Sequence, residues 1–100
     1  MEVLMKKPDG DVGYIRIINK LHLLQELVGG HIEVVPYPYH KNTVIICNEE
    51  GLINDMPYNC QLGEHYLFGT ILICGVDGEE FCDVDPEVLP DLQKRFPVWW

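Results

Sequence analysis

Thr43-Val44-Ile45-Ile46-Cys47-Asn48-Glu49-Glu50-Gly51 is an apolar run that stops abruptly in an amide, two carboxylates and a glycine. Its β-branched residues fit a buried strand, and strand ends that pass into polar loops are where sites are usually built. A second run, Phe68-Gly69-Thr70-Ile71-Leu72-Ile73-Cys74-Gly75, is the strongest strand pattern in the chain and ends in the same way. It passes into Val76-Asp77-Gly78-Glu79-Glu80, so two strands are expected to deliver polar clusters to neighbouring places.

Toward the N-terminus, Glu2 to Lys7 and Tyr14 to Ile18 read as short strands joined through the turn chemistry of Pro8-Asp9-Gly10. Asn19 is placed to cap the next segment. There Leu21, Leu24, Leu27 and Val28 recur at helical spacing until Gly29-Gly30, a helix of about two and a half turns. His31 to Tyr37 reads as a strand closed by Pro36 and Pro38, which cannot donate to a central ladder, so its end belongs at a sheet edge. His40-Lys41-Asn42 would turn the chain into Thr43 to Cys47 as an antiparallel hairpin.

Leu52 to Gly63 mixes Asn, Asp, Pro and Gly without a sustained period and is expected to be irregular. Beyond the second run, Val76-Asp77-Gly78-Glu79 signals a turn and Phe81-Cys82-Asp83 a short return strand. Asp85 before Pro86 and Glu87 starts a short helix with Val88, Leu89, Leu92 and Phe96 on one face. The expected architecture is α+β over residues 1–100 as a single domain. It has a mostly antiparallel sheet of four to six strands, one helix across a face, and a short C-terminal helix at an edge. Trp99 and Trp100 are expected to be tied down on their own core or on a neighbouring chain, because exposed paired Trp is a costly apolar patch.

The formal charge of −9 is unevenly placed. Five acids and five bases share residues 1–48, whereas residues 49–100 hold eleven acids and only Lys94 and Arg95. Such a balance repels duplex nucleic acid, and direct nucleic-acid binding is not expected. It is suited to steering the chain toward a basic protein whose natural ligand is a polyanion. Cys47, Cys60, Cys74 and Cys82 have no pair at the two-residue gap of a zinc knuckle or redox motif, so no metal or cofactor is expected. Cys47 and Cys74 sit in apolar runs as reduced thiols, and neither a signal-peptide pattern nor a segment of roughly 18 apolar residues is present. The expected compartment is the cytoplasm, with no membrane partner.

For catalysis the sequence offers little. Glu49 and Glu50 are adjacent and point to opposite faces of an extended chain, Glu79 and Glu80 share that limitation, and the four histidines have no local metal spacing. Gly29-Gly30 closes a helix and does not open one, as a phosphate loop requires. No enzyme motif is found, and binding without turnover is expected. The candidate ligand site combines Tyr37, Tyr39, His40, Lys41 and Asn42, two aromatic faces with a cation and an amide around a proline-stiffened turn. Those groups stack a base and hold a phosphate. Arg16 and Lys20 would add charge, and Asn48 with Glu49 would read polar edges of the ligand.

Gly30-His31-Ile32-Glu33-Val34-Val35, the Asn48-Glu49-Glu50-Gly51 element and the Phe68 to Gly75 run, ending in Asp77-Gly78-Glu79-Glu80-Phe81, together resemble domain of unknown function 3846, over roughly residues 3–95. The resemblance implies a short accessory protein of phages and conjugative elements of gut bacteria, a setting in which such proteins often counter host defence. It brings no catalytic residues. Two mechanisms follow as expectations. One is sequestration of a small anionic nucleotide immune signal, in a pocket shared between protomers of a homo-oligomer. The other is occupation of a basic surface on a host defence or nucleic-acid-binding protein by the acidic half, with Glu79, Glu80 and Asp83 in contact.

Overall fold

The computed structural model describes residues 1–97; Val98, Trp99 and Trp100, and with them the expectation for the two tryptophans, lie outside the described residues. In chain order the elements are β1 (Glu2–Lys6), β2 (Val12–Arg16), α1 (Leu21–Val28), β3 (Ile32–Pro36), β4 (Thr43–Asn48), β5 (Tyr58–Leu62), β6 (His65–Phe68), β7 (Ile71–Asp77), β8 (Glu80–Cys82), a 3-10 helix (Pro86–Val88) and α2 (Leu89–Arg95). The fold is α+β. Its main sheet runs β2-β1-β7-β4-β3 with β8 also on β7, and every pairing is antiparallel. β1 takes residues 71–73 of β7 and β8 takes 75–77, so β8 prolongs the line of β1, clamped by Glu2 N–H to Asp83 Oδ1 at 2.7 Å.

Alternation along the central strands sends apolar side chains to both faces. Leu4, Ile45, Cys47, Ile71 and Ile73 point one way, and Val3, Ile46, Leu72 and Cys74 the other. A sheet apolar on both sides needs a covering layer on each. α1 supplies one through buried Leu24 and Val28, and stops at Gly29, whose φ of +82° and N–H to Gln25 O at 2.8 Å close the last turn. Asn19 does not cap this helix. Lys20 occupies the cap position without a side-chain bond, and the Asn19 amide donates instead to Phe81 O at 3.0 Å, fastening the helix entry to β8.

The second face is covered by the β5–β6 hairpin and the C-terminal segment, through Leu62, Leu67, Val88, Leu92 and Phe96. α2 therefore lies over a face and not at an edge, because the second face of β4 and β7 would otherwise remain wet. Asp85 caps the 3-10 helix as its sequence indicates, accepting from Glu87 N–H at 3.0 Å with Pro86 at the first position.

Two boundaries differ from the pattern. Residues 58–62, expected to be irregular, form β5, and the ladder with β6 shifts register between Tyr58 and Cys60. Asn59 at that shift is buried and donates to Lys6 O and Gly69 O at 2.9 and 2.8 Å. A bulge of this kind breaks the two-residue period by which strands are recognised. The run from Phe68 to Gly75 is likewise split between β6 and β7 by a corner at Gly69, φ +76°, where a Cβ would meet Met56 Sδ at 2.8 Å. That corner carries the chain from the hairpin layer into the middle of the sheet.

Candidate functional site

The residues singled out from sequence fall in three places. Arg16 ends β2, at the sheet edge opposite β3, and Lys20 precedes α1; both are exposed. Tyr37, Tyr39, His40, Lys41 and Asn42 surround the β3–β4 turn. Asn48 and Glu49 stand at the other end of β4, about 17 Å away by the rise of an extended strand.

The tyrosine turn is engaged with its own chain. Tyr37 is 3% exposed and its hydroxyl donates to an Asp91 carboxylate of α2; burial first, and the Asp91 bond second, push that hydroxyl well above the usual tyrosine range, while Arg95 opposes them. Tyr39 lies edge-on to Tyr37 with centroids 5.5 Å apart, and its hydroxyl accepts from Gly63 N–H at 3.0 Å. The Arg95 guanidinium covers a face of the Tyr39 ring at 3.4 Å and donates to Asp91 at 3.1 Å. Asn42 takes φ +57° and its carbonyl accepts from Val76 N–H at 3.0 Å, whereas Lys41 is exposed. This cluster fastens α2 and the hairpin layer to the end of the sheet.

Asn48 is also structural. At 7% exposure its amide donates to Val28 O at 3.2 Å and its carbonyl oxygen accepts from Glu50 N–H at 2.7 Å, bridging the end of α1 to the loop after β4.

Beside it opens a cleft of about 320 Å³ between edge strand β3, the end of β4 and strand β6. Glu33, Glu49 and Glu64 bring three carboxylates to its walls, with His65 alongside. Leu52, Tyr66 and Phe68 supply an apolar and aromatic lining, and Leu52 and Tyr66 are 68% and 63% exposed. Cys47 reaches the cleft too, but burial and then the Glu33 charge push its thiol from 9.0 up to about 11, so it stays protonated at neutral pH. β3 borders the cleft and pairs only with β4 among the described residues, so half its backbone groups face outward.

Sequence reasoning reached Asn48 and Glu49, which both line the cleft, and missed Glu33, Glu64, His65 and Tyr66. A signal was present: Gly63-Glu64 is a two-residue loop with glycine first, at φ +59°, between two apolar-containing runs, which is a hairpin pattern.

A second cleft, about 350 Å³, lies at the opposite end of the sheet between Asn42, the end of β7 and the segment from Cys82 to Pro86, and contains Asp77, Asp83 and Asp85. Cys82 lines it, its thiol raised by burial and then by Asp77, Asp83 and Asp85. Both clefts thus present negative charge, while two of the basic side chains are engaged with their own chain: Lys6 donates to Asn59 Oδ1 at 2.8 Å, and Arg95 to Asp91.

A family model described as Domain of unknown function (DUF3846) matches residues 1–97. The chain belongs to the DUF3846 family. No curated protein and no solved structure matches it. The DUF3846 match spans every described element, so both clefts lie within the family's domain. No described helix is long and apolar enough to cross a membrane.

Proposed function

We propose that this DUF3846 protein is a binding protein that acts without turnover, seating a basic, extended segment of a partner protein in the cleft beside β3. The observation that supports it is the grouping of Glu33, Glu49 and Glu64 around exposed Leu52 and Tyr66, next to an unpaired strand edge. An extended segment adds main-chain hydrogen bonds to such an edge, its Lys and Arg side chains meet the carboxylates, and its stems lie on the aromatic lining. The partner is then a protein whose basic surface natively holds a polyanion, and in the mobile-element setting that the family resemblance implies, a host defence or nucleic-acid-binding protein. Occupying that surface blocks it.

Nucleotide sequestration ranks second. An anionic ligand would meet three carboxylates in the cleft, and at the turn a face of Tyr39 is already taken by Arg95.

Calorimetry with a Lys/Arg-rich decapeptide, and in parallel with cyclic dinucleotides and ADP-ribose, tests the choice. Binding of the peptide is expected to weaken with added salt and to fall by about tenfold or more in a Glu33→Gln, Glu49→Gln, Glu64→Gln variant that keeps its fold. Peptide binding unchanged in the variant, or heat with the nucleotides alone, overturns it.

A further inference from the structure

His40, Asp85 and Glu87 each present one donor atom, and the three atoms lie within 4.8 Å of one another. We infer that they form a site for a divalent transition-metal ion, separate from the cleft beside β3. The three come from two distant stretches of chain, the β3–β4 turn and the start of the 3-10 helix.

The orientation of the imidazole supports this assignment independently of the carboxylates. His40 Nδ1 is 2.6 Å from the Lys41 carbonyl oxygen, which can only accept, so Nδ1 carries the proton. Nε2 lies 3.8 Å from Glu87 Oε2, and in the neutral ring it is the nitrogen that offers a lone pair to a metal ion. A ring nitrogen bonded to a backbone carbonyl while the other faces carboxylates is the arrangement that orients a metal-ligating histidine. Asp85 uses Oδ1 to cap Glu87 N–H at 3.0 Å and retains its second oxygen.

Two ligands on one ion, each at about 2.1 Å, stand no more than about 4.2 Å apart, so the donors must draw together slightly. Glu87 is free to do this, its side chain being 83% exposed. Water would complete the coordination. One imidazole and two carboxylates favour zinc and its first-row neighbours over magnesium or calcium, which prefer all-oxygen shells. The neighbouring cleft with Asp77 and Asp83 adds a negative field that attracts a cation. A bound ion would pin the β3–β4 turn to the C-terminal segment, the same two parts that Tyr37–Asp91 and Tyr39–Arg95 already join.

The test is calorimetric titration of the purified, reduced protein with Zn²⁺, with Mg²⁺ and Ca²⁺ as comparisons. One Zn²⁺ per chain is expected, with affinity lowered about tenfold or more by His40→Gln and by Glu87→Gln. The Glu87 side chain is exposed and that of His40 partly so, and circular dichroism checks that each variant folds. Cys82→Ala is expected to leave the affinity unchanged. Absence of Zn²⁺ binding, wild-type affinity in both His40→Gln and Glu87→Gln, or loss of binding in Cys82→Ala alone overturns the assignment.

Discussion

Asn48 illustrates how a residue can look like a reader of ligand while serving as a brace. The amide ends an apolar strand, where a recognition group is often found, yet its two hydrogen bonds go to Val28 O and Glu50 N–H. Asn48→Ala leaves a buried carbonyl without its donor, at a cost of about 1–3 kcal/mol, measurable as a lower urea midpoint. Asn48→Asp is expected to cost more, because a carboxylate would face the Val28 carbonyl. A midpoint within error of wild type for Asn48→Ala would contradict the bracing role. Glu49, one position on, is exposed and reaches the cleft. Adjacent residues on a strand end point apart, so one turns inward and its neighbour outward.

Among the elements, β7 decides the fold, since β1, β4 and β8 all pair with it. Its apolar run was readable because both faces are buried. Gly75 is there for a different reason, which the pattern does not reveal: a Cβ at this position would run into the Asp83 backbone oxygen, where β8 and the following residues cross close to β7. Gly75→Ala is expected to lower stability by about 1–3 kcal/mol in chemical denaturation, since a backbone atom must move to make room. A neutral substitution would mean that the crossing is loose. The β5–β6 hairpin shows the opposite limit. Its bulge at Asn59 hides the alternation, and the hairpin is recognisable in the three-dimensional fold through Asn59 hydrogen bonds to Lys6 and Gly69 that join it to β1 and the β6–β7 corner.

For the whole molecule, pH dependence follows from thiols on both sides of the sheet. Burial pushes Cys74 from 9.0 to about 12, with Cys82 adding to it, and burial with Glu33 pushes Cys47 to about 11. An unfolded chain releases these protons near 9, whereas the folded chain holds them. Their contribution is therefore complete below about pH 9 and is lost as pH climbs toward 11 and 12. The melting temperature is expected to fall across that window, and to fall less steeply in a Cys74→Ala variant than in wild type. An equal slope in both would remove Cys74 from the account. Charge distribution also acts at this scale: of the eleven acids of residues 49–100, Glu49 and Glu64 line one cleft and Asp77, Asp83 and Asp85 the other, at opposite ends of the sheet.

From the sequence alone came the antiparallel α+β class, the two central strands, the helix stopped at Gly29, the Asp85 cap and the acidic balance of the second half. Each is written in neighbouring residues, as a period, a turn signal or a count of charges. The groupings that form the two candidate sites depended on the tertiary structure. Glu33, Glu49 and Glu64 meet only because the β5–β6 hairpin folds back over the edge of the sheet, and His40 reaches Asp85 and Glu87 only because the C-terminal segment covers its second face. Contacts between residues so far apart along the chain leave no local spacing to read, since packing against a shared apolar face brings them together.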